Sequence, residues 1–283
     1  VGNPERIKDA LRVFRDEYSG KTFDIPTQNE FFRSLIQNGV IKGDPNQIGS
    51  RDWSARKWAS AFNKLGLALP RGSKSNPVVT ITPAGESLLS ENSLESDVFL
   101  RQMLKVQLPS PTEDNLENAS IHPFFLVLSV AVKLIKREMK PLGKEEIALF
   151  LQSATRDTDV DNIVDRIAEY RNAKGDIKGK IGKRKFFLDS LLIKATQLYG
   201  DGVTRQKMNT LKDYSDTTVR YSAITGIFTI GRQSLLIKED QRNLAYAIVE
   251  AGIPKLYEEQ EFLEFFHNPL LPALPTDDTS FLK

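Results

Sequence analysis

The stretch Ser50 to Gly85, SRDWSARKWASAFNKLGLALPRGSKSNPVVTITPAG, decides the fold. Trp53, Trp58, Ala61, Phe62 and Leu65 recur at helical spacing and mark a buried stripe. Arg51, Asp52, Arg56, Lys57 and Ser60 are left facing solvent or a partner. Gly66 stops the helix, because glycine takes the left-handed C-terminal conformation at least cost. Leu67 to Leu69 and Val78 to Ile81 follow as two strands around a polar tip, and Thr82-Pro83 opens another helix. A helix followed by a hairpin is the shape of a winged helix-turn-helix, whose second helix commonly enters a DNA major groove.

Upstream, Asn3-Pro4-Glu5 is a helix start: Asn caps, Pro suits the first helical position, and Glu complements the dipole. Ile7, Leu11, Phe14 and Tyr18 give that helix its apolar face. Thr27 and Glu30 form a capping box for the next helix, which Gly39 ends, and the loop Lys42 to Gly49 leads back to the opening stretch. This first winged-helix subdomain, with its N-terminal arm, spans 1–93. Helices over Ser96 to Val106 and Pro123 to Lys136, separated by a polar loop from Pro109 to Asn118, make a helical linker subdomain over 94–141.

The second winged-helix subdomain is expected over 142–268. Its first helices lie around Lys144 to Gln152 and Asp159 to Asn172, the latter buried through Ile163, Ile167 and Tyr170. Gly175 to Gly182 reads as a basic loop, with a helix from Phe186 to Tyr199 behind it. Then the opening pattern returns. A helix begins at Asp213 and ends at Gly226, and Ile227 to Ile230, Gly231-Arg232-Gln233 and Leu235 to Lys238 form a hairpin. The repeat is one of architecture, since the two copies share little sequence. Residues 269–283, with Pro269, Pro272 and Pro275, read as a linker towards a further C-terminal domain outside this chain. The fold class is mainly α with small β-hairpin wings: two winged helix-turn-helix subdomains joined by a helical linker.

Bulk composition adds exclusions. The chain has 283 residues, 27% of them charged, and a net charge of only +2, so it has room for two or three small cores. No apolar run reaches the roughly 20 residues needed to span a membrane. There is no secretory signal pattern, and without cysteine there are no disulfides or thiolate metal sites, which is compatible with a reducing cytoplasm. With His122 and His267 the only histidines, a histidine-built metal site is not expected. Charge is nevertheless uneven: Arg171 to Lys185 holds seven basic residues against Asp176 alone. Binding duplex DNA needs a local footprint of about 6–10 phosphate contacts, not a basic average.

The strings Thr27-Gln28-Asn29-Glu30-Phe31, Ser50-Arg51-Asp52, Lys64-Leu65-Gly66, Ile81-Thr82-Pro83-Ala84-Gly85, Asp97-Val98-Phe99-Leu100 and Gln107-Leu108-Pro109-Ser110 stand in one order. Gly143-Lys144-Glu145-Glu146-Ile147-Ala148, Asp216-Thr217-Thr218-Val219-Arg220-Tyr221 and Thr225-Gly226-Ile227-Phe228 continue it. Together they resemble the recognition part of type IIS restriction endonucleases, the AlwI-like and BpuJI-like group, with a more distant likeness to the winged helices of FokI-like enzymes. The resemblance covers nearly the whole chain. It implies a bacterial cytoplasmic protein, monomeric on an asymmetric site, and a separate C-terminal nuclease domain with a PD-(D/E)xK core that uses magnesium. Asp176-Ile177-Lys178 matches D-x-K, with Asp161 and Asp165 upstream, but it lies in a glycine- and lysine-rich segment instead of a strand. The expectation is therefore a chain that binds DNA and needs no cofactor of its own, with no catalytic residue in it.

Base-edge reading needs Arg or Lys for guanine, Asp or Glu for the cytosine amino group, and Asn or Gln for adenine. In the first unit the candidates are Arg51, Asp52, Arg56 and Lys57, supplemented by Asn3 and Arg6 of the N-terminal arm, which the resemblance brings towards DNA. In the second unit they are Lys212, Asp213, Asp216, Thr217, Thr218 and Arg220, with Arg205, Gln206 and Lys207 in a polar loop before the helix. The blander readings are helix caps for the aspartates, solvated side chains for the basics, and a frayed terminus for the arm. Lys21, Lys42, Lys74 and the Arg171–Lys185 cluster are candidates for phosphate positioning. The alternative functions are a winged-helix transcriptional regulator, which would favour a palindromic operator, a protein-interaction scaffold, and a self-contained nuclease.

Overall fold

The computed structural model describes residues 3–44, 52–71, 78–111 and 119–277. The expected arm residues Val1 and Gly2, the tip of the first wing with Lys74, Arg51, most of the Lys42–Gly49 loop, most of the Pro109–Asn118 loop and the end of the expected linker lie outside them. The side chains of Asp52 and Trp53 do too. The chain divides into two compact units, 1–106 with 258–273, and 107–257 with 274–283.

The first unit opens on a 3-10 turn, Pro4–Arg6, capped by the Asn3 side chain, which accepts from the Glu5 N–H at 3.2 Å. Helices α1 (Ile7–Tyr18) and α2 (Ile25–Gln37) follow. The expected capping box at Thr27 is corrected. Helix α2 starts three residues earlier because Asp24 is the cap, accepting from the Thr27 N–H at 3.0 Å, and Pro26 suits the first turn. Helix α3 (Asp52–Lys64) leads through Gly66, at φ +64°, into β1 (Ala68–Arg71) and β2 (Val78–Ile81), an antiparallel hairpin. Thr22 bridges to Val78, so the wing is flanked by a third, very short edge. The core gathers on Phe14, whose ring lies 4.8 Å from Phe31 and 5.3 Å from both Phe23 and Phe62. Trp58, Ala61, Phe62 and Leu65 are buried, as the periodicity required.

Behind the wing come α4 (Pro83–Leu89) and α5 (Glu95–Lys105). Thr82 joins wing to helix: its hydroxyl accepts from the Gly85 N–H at 3.0 Å and donates to the Gly66 carbonyl at 2.6 Å. A Cβ on Gly85 would stand 2.1 Å from the Leu67 carbonyl oxygen, so only glycine fits there.

In the second unit α6 (Pro123–Lys136) is buried along nearly its whole length, from Phe124 to Leu134. Among the described residues no helix is long and apolar enough to cross a membrane. A short strand β3 (Leu142–Gly143) precedes α7 (Lys144–Glu146), which runs on into one π turn, Ile147–Leu151. Helices α8 (Val160–Gly175), α9 (Gly179–Tyr199) and α10 (Arg205–Ile224) lead to the wing, β4 (Phe228–Ile230) and β5 (Ser234–Ile237), and then to α11 (Arg242–Glu250). Strand β3 pairs antiparallel with β5, giving a three-stranded sheet of order β3-β5-β4. Ala148, Leu149, Tyr170, Leu191, Ala195 and Leu211 form a cluster that holds the π turn, α8, α9 and α10 together. His122 is structural: its ring Nδ1 lies 2.8 Å from Asp157 Oδ2, and its backbone N–H donates to the same carboxylate.

Two sequence expectations are overturned here. Gly175 to Gly182 is not a loop, since α8 runs to Gly175 and α9 starts at Gly179, leaving only Asp176 to Lys178 between them. Helix α10 starts at Arg205, eight residues before Asp213, because the Thr204 side chain caps the Lys207 N–H. Glycines mask the start of α9, and the buried face of α10 is masked by Ser215 and Ser222, which stand where apolar residues would mark it.

Helix α12 (Glu259–His267) returns to the first unit and packs on α5. Its last carbonyls have no partners within the helix. These and the carbonyls just beyond the helix are met from α5: Gln102 donates to Phe266 O at 2.9 Å, Lys105 donates to Asn268 O at 2.5 Å, and Arg101 donates to Leu270 O at 2.9 Å. Leu274 is also buried, so part of the expected linker is packed structure in the second unit.

Burial, with the nearby Arg101 charge, pushes the Lys105 ammonium down to about 7. Between that value and the ordinary 10.5 the unfolded chain binds more protons than the folded one, so stability rises with pH across this window. Urea unfolding from pH 7 towards pH 10 is expected to show that rise, and Lys105→Met to remove it. A second expectation concerns the wing base: Gly85→Ala destabilises by about 3 kcal/mol through overpacking. Gly175→Ala, where a Cβ meets nothing within 4 Å, does not.

Candidate nucleic-acid interface

Each unit places one helix directly before its wing, and the outward face of that helix is polar. On α3, Ala55, Trp58, Ala59 and Phe62 point inward while Arg56, Lys57 and Ser60 are exposed. Arg56 is already engaged, its Nε donating to Gln28 Oε1 at 2.9 Å. Lys57 makes no ion pair with any described residue. Asp52 begins the helix, and Arg51 lies outside the described residues.

On α10, Leu211, Ser215, Val219 and Ser222 are buried. The opposite face carries Gln206, Asn209, Asp213, Thr217 and Arg220, spaced three or four residues apart and directed away from that core. Arg205 and Tyr214 are exposed beside them, Tyr214 by 54%. Arg205, Gln206 and Lys207 thus belong to the helix instead of a loop, and Asp213 and Asp216 are mid-helix residues instead of caps.

Several of the candidates have structural partners. Asp216 pairs with Lys144 at 2.8 Å, Thr218 accepts from Gln152 Nε2 at 2.9 Å, and the Thr217 hydroxyl donates to the Asp213 carbonyl at 2.8 Å. Lys207 lies over the Tyr199 ring at 5.3 Å, and Lys212 over the Phe187 ring at 5.8 Å. At the N-terminus Asn3 is a cap, and Arg6 donates to the Gly39 and Val40 carbonyls at 2.9 and 3.0 Å, closing the end of α2. Asn209 is not legible as a candidate when the helix is begun at Asp213. The Thr204 cap, followed by Met208, Leu211, Ser215 and Val219 at helical spacing, is the signal that reveals it.

Arg171, a candidate for phosphate positioning, is fully engaged. It grips Glu146 with Nε and Nη2, both at 2.7 Å, and donates to the Lys140 and Pro141 carbonyls at 2.9 Å. Lys174 pairs with Glu145, which also accepts from Tyr170 Oη at 3.0 Å; burial, reinforced by the Glu145 charge, holds the Tyr170 hydroxyl well above its ordinary value. These pairs brace the base of α8 against β3 and α7.

A family model for the AlwI restriction endonuclease matches residues 63–281. The chain belongs to the AlwI restriction endonuclease family. Among solved structures, this family member is similar to the BpuJ1 endonuclease binding domain, crystallised in complex with pyrene- and phenanthrene-modified DNA. The TM-score is 0.57 at 13% identity, over 91% of this chain and 87% of that one, a likeness of fold. No curated protein matches.

Family membership raises the question of magnesium. Among the described residues no group of three or more His, Asp or Glu could hold a metal ion. Asp161 and Asp165, the acids upstream of Asp176-Ile177-Lys178, are held by Arg137 at 3.1 and 2.5 Å, and Lys133 also takes Asp161 at 2.8 Å. This donor set does not fit a catalytic magnesium.

Glu146 accepts three bonds, from both Arg171 nitrogens and from the Gly143 N–H at 2.7 Å, with its side chain 9% exposed. Glu146→Ala is therefore expected to lower stability by about 3 kcal/mol, the cost of removing one partner of a buried pair. Chemical denaturation measures it.

Proposed function

We propose that this chain is the sequence-specific, double-stranded DNA recognition module of a type IIS restriction endonuclease, reading a short asymmetric site mainly through the major groove. The observation that carries the reading is the repeated placement of a polar-faced helix immediately before a wing, in a chain of a restriction endonuclease family. Such a helix enters the major groove in known helix-turn-helix proteins. The fold likeness to a binding domain crystallised with DNA supports the same partner.

On this reading α3 and α10 each read part of the site. Lys57, Arg220 and Arg205 suit guanine, Gln206 and Asn209 suit adenine, and Asp213 suits the cytosine amino group. Because the two faces differ in sequence, one chain suits an asymmetric site, bound as a monomer. The chain binds without cutting, and magnesium serves a nuclease domain of the parent enzyme. The pairing of Asp161 and Asp165 with Arg137 supports that division of labour.

Enrichment of random duplexes on the purified chain tests the reading. An asymmetric consensus is expected, and a palindromic one overturns it. Plasmid cleavage by this chain with magnesium would overturn the division of labour. Lys57→Ala and Arg220→Ala are each expected to weaken binding by about 1–3 kcal/mol on the enriched site and hardly at all on random duplex. Equal weakening on both would assign these side chains to phosphates.

A further inference from the structure

The first two turns of α9 are built against the rules for a free helix. The buried positions of α9 are Leu191 and Ala195. Followed towards the N-terminus at helical spacing, the same face passes through Phe187 to Arg184 and Lys180, both exposed. Cations thus stand where packing residues would continue. Lys180 and Arg184 are four residues apart, and Lys180 and Lys183 three, so like charges adjoin on one surface. They also lie at the positive end of the helix dipole, with no acid in the first turn to offset it.

None of Lys178, Lys180, Lys183, Arg184 or Lys185 makes an ion pair with a described residue. Each of these features destabilises the free protein, and each is relieved when an anion covers the surface.

The surroundings point to which anion. Lys183 lines an open cleft of 830 Å³ that also reaches Lys140 and the wing residues Gln233 and Ser234. Four cations line that cleft, Lys140, Arg171, Lys174 and Lys183, against the two carboxylates Glu145 and Glu146, a surplus of two positive charges. Arg171 and Lys174 neutralise the carboxylates, so the surplus is Lys140 and Lys183. Arg232, exposed in the wing turn beside Gln233, adds a further cation without a described acid partner. The cationic run on α9 from Lys180 to Lys185 spans roughly 9 Å at the helical rise. An extended line of cations beside an open cleft matches a chain of phosphodiesters better than a single enclosed ligand.

We infer that the start of α9, with Lys140 of the same cleft and Arg232 next to its lining residue Gln233, is a backbone-binding site for the DNA duplex, separate from the base-reading face of α10. It rests on the DNA-recognition reading and assigns that function a second surface. Its bonds are to phosphates, so it adds affinity without sequence preference.

The test is the variant Lys180→Gln/Lys183→Gln/Arg184→Gln, which removes charge without introducing repulsion. Binding is measured on the enriched duplex and on a random duplex over a range of salt. The expected result is roughly tenfold or greater weakening by the same factor on both duplexes. The slope of log affinity against log salt becomes shallower by about 0.9 for each phosphate no longer neutralised. The melting temperature of the free variant stays the same or rises, which separates weaker phosphate binding from a damaged fold. Unchanged affinity and slope would overturn the inference and leave the cations as a solvated surface. Weakening confined to the enriched duplex would also overturn it, by assigning these residues to base reading.

Inorganic phosphate, titrated at constant ionic strength, separates free phosphate from DNA as the source. Saturable binding that duplex fails to displace would overturn the assignment. If the unaltered chain binds no duplex at all, the underlying recognition reading fails instead, a distinct result.

Discussion

The hydroxyl of Thr82 sets the geometry on which the first unit depends. It accepts the Gly85 N–H that opens α4 and donates to the Gly66 carbonyl that ends α3, while the Thr82 backbone N–H donates to Leu67 O at 3.1 Å. Helix, wing and following helix are thereby tied at one buried point. Gly85 completes it, since its hydrogen is all that fits against Leu67 O. With the wing root locked to the end of α3, the exposed residues Arg56, Lys57 and Ser60 stand at a set position relative to the hairpin.

The second unit reaches the same arrangement by other means. There the wing is secured by β3, whose pairing with β5 continues in the bond from the Lys144 N–H to Gln233 O at 3.0 Å. Ser215 then donates to Lys144 O at 2.6 Å, pinning the middle of α10 to the root of the wing. Asp216 and Lys144 add an ion pair at the same place. Asp216 and Thr218 thus also fasten α10, while its outward polar face carries Gln206, Asn209, Asp213 and their neighbours.

Electrostatics divide in the same way between scaffold and surface. The strong pairs, Glu146 with Arg171 and Glu145 with Lys174, lie at the base of α8 and maintain the scaffold. Cations without such partners collect on α9 and around the second wing. A chain with a net charge of only +2 can therefore present a basic surface, because many of its acids lie in another stretch, from Glu239 to Glu264. Proton linkage enters through burial, as at Lys105, where carbonyl groups at the end of α12 take the place of a carboxylate partner.

The amino-acid sequence by itself determined the local elements whose signals are local. The apolar period of Trp58, Phe62 and Leu65, the stops at Gly66 and Gly226 and the Thr82-Pro83 start are found as read, and both hairpins are found with β1 at Ala68–Arg71 and β5 at Ser234–Ile237, shifted by one or two residues. These depend on neighbours within a few residues, and on backbone preferences that a residue carries wherever it stands. What the tertiary structure decided was every feature in which a distant partner overrules the local signal. Buried Ser215 is polar because Lys144 O, far away in sequence, satisfies it, and so the true start of α10 is obscured in the sequence. Arg171 and Arg6 look like free basics in the sequence, yet one holds Glu146 and the other closes α2. The return of α12 to α5 also depends on bonds between residues more than 160 positions apart. Helical spacing reveals which side of a helix is polar; only the packed chain decides which of those polar groups are held by a partner elsewhere in the fold.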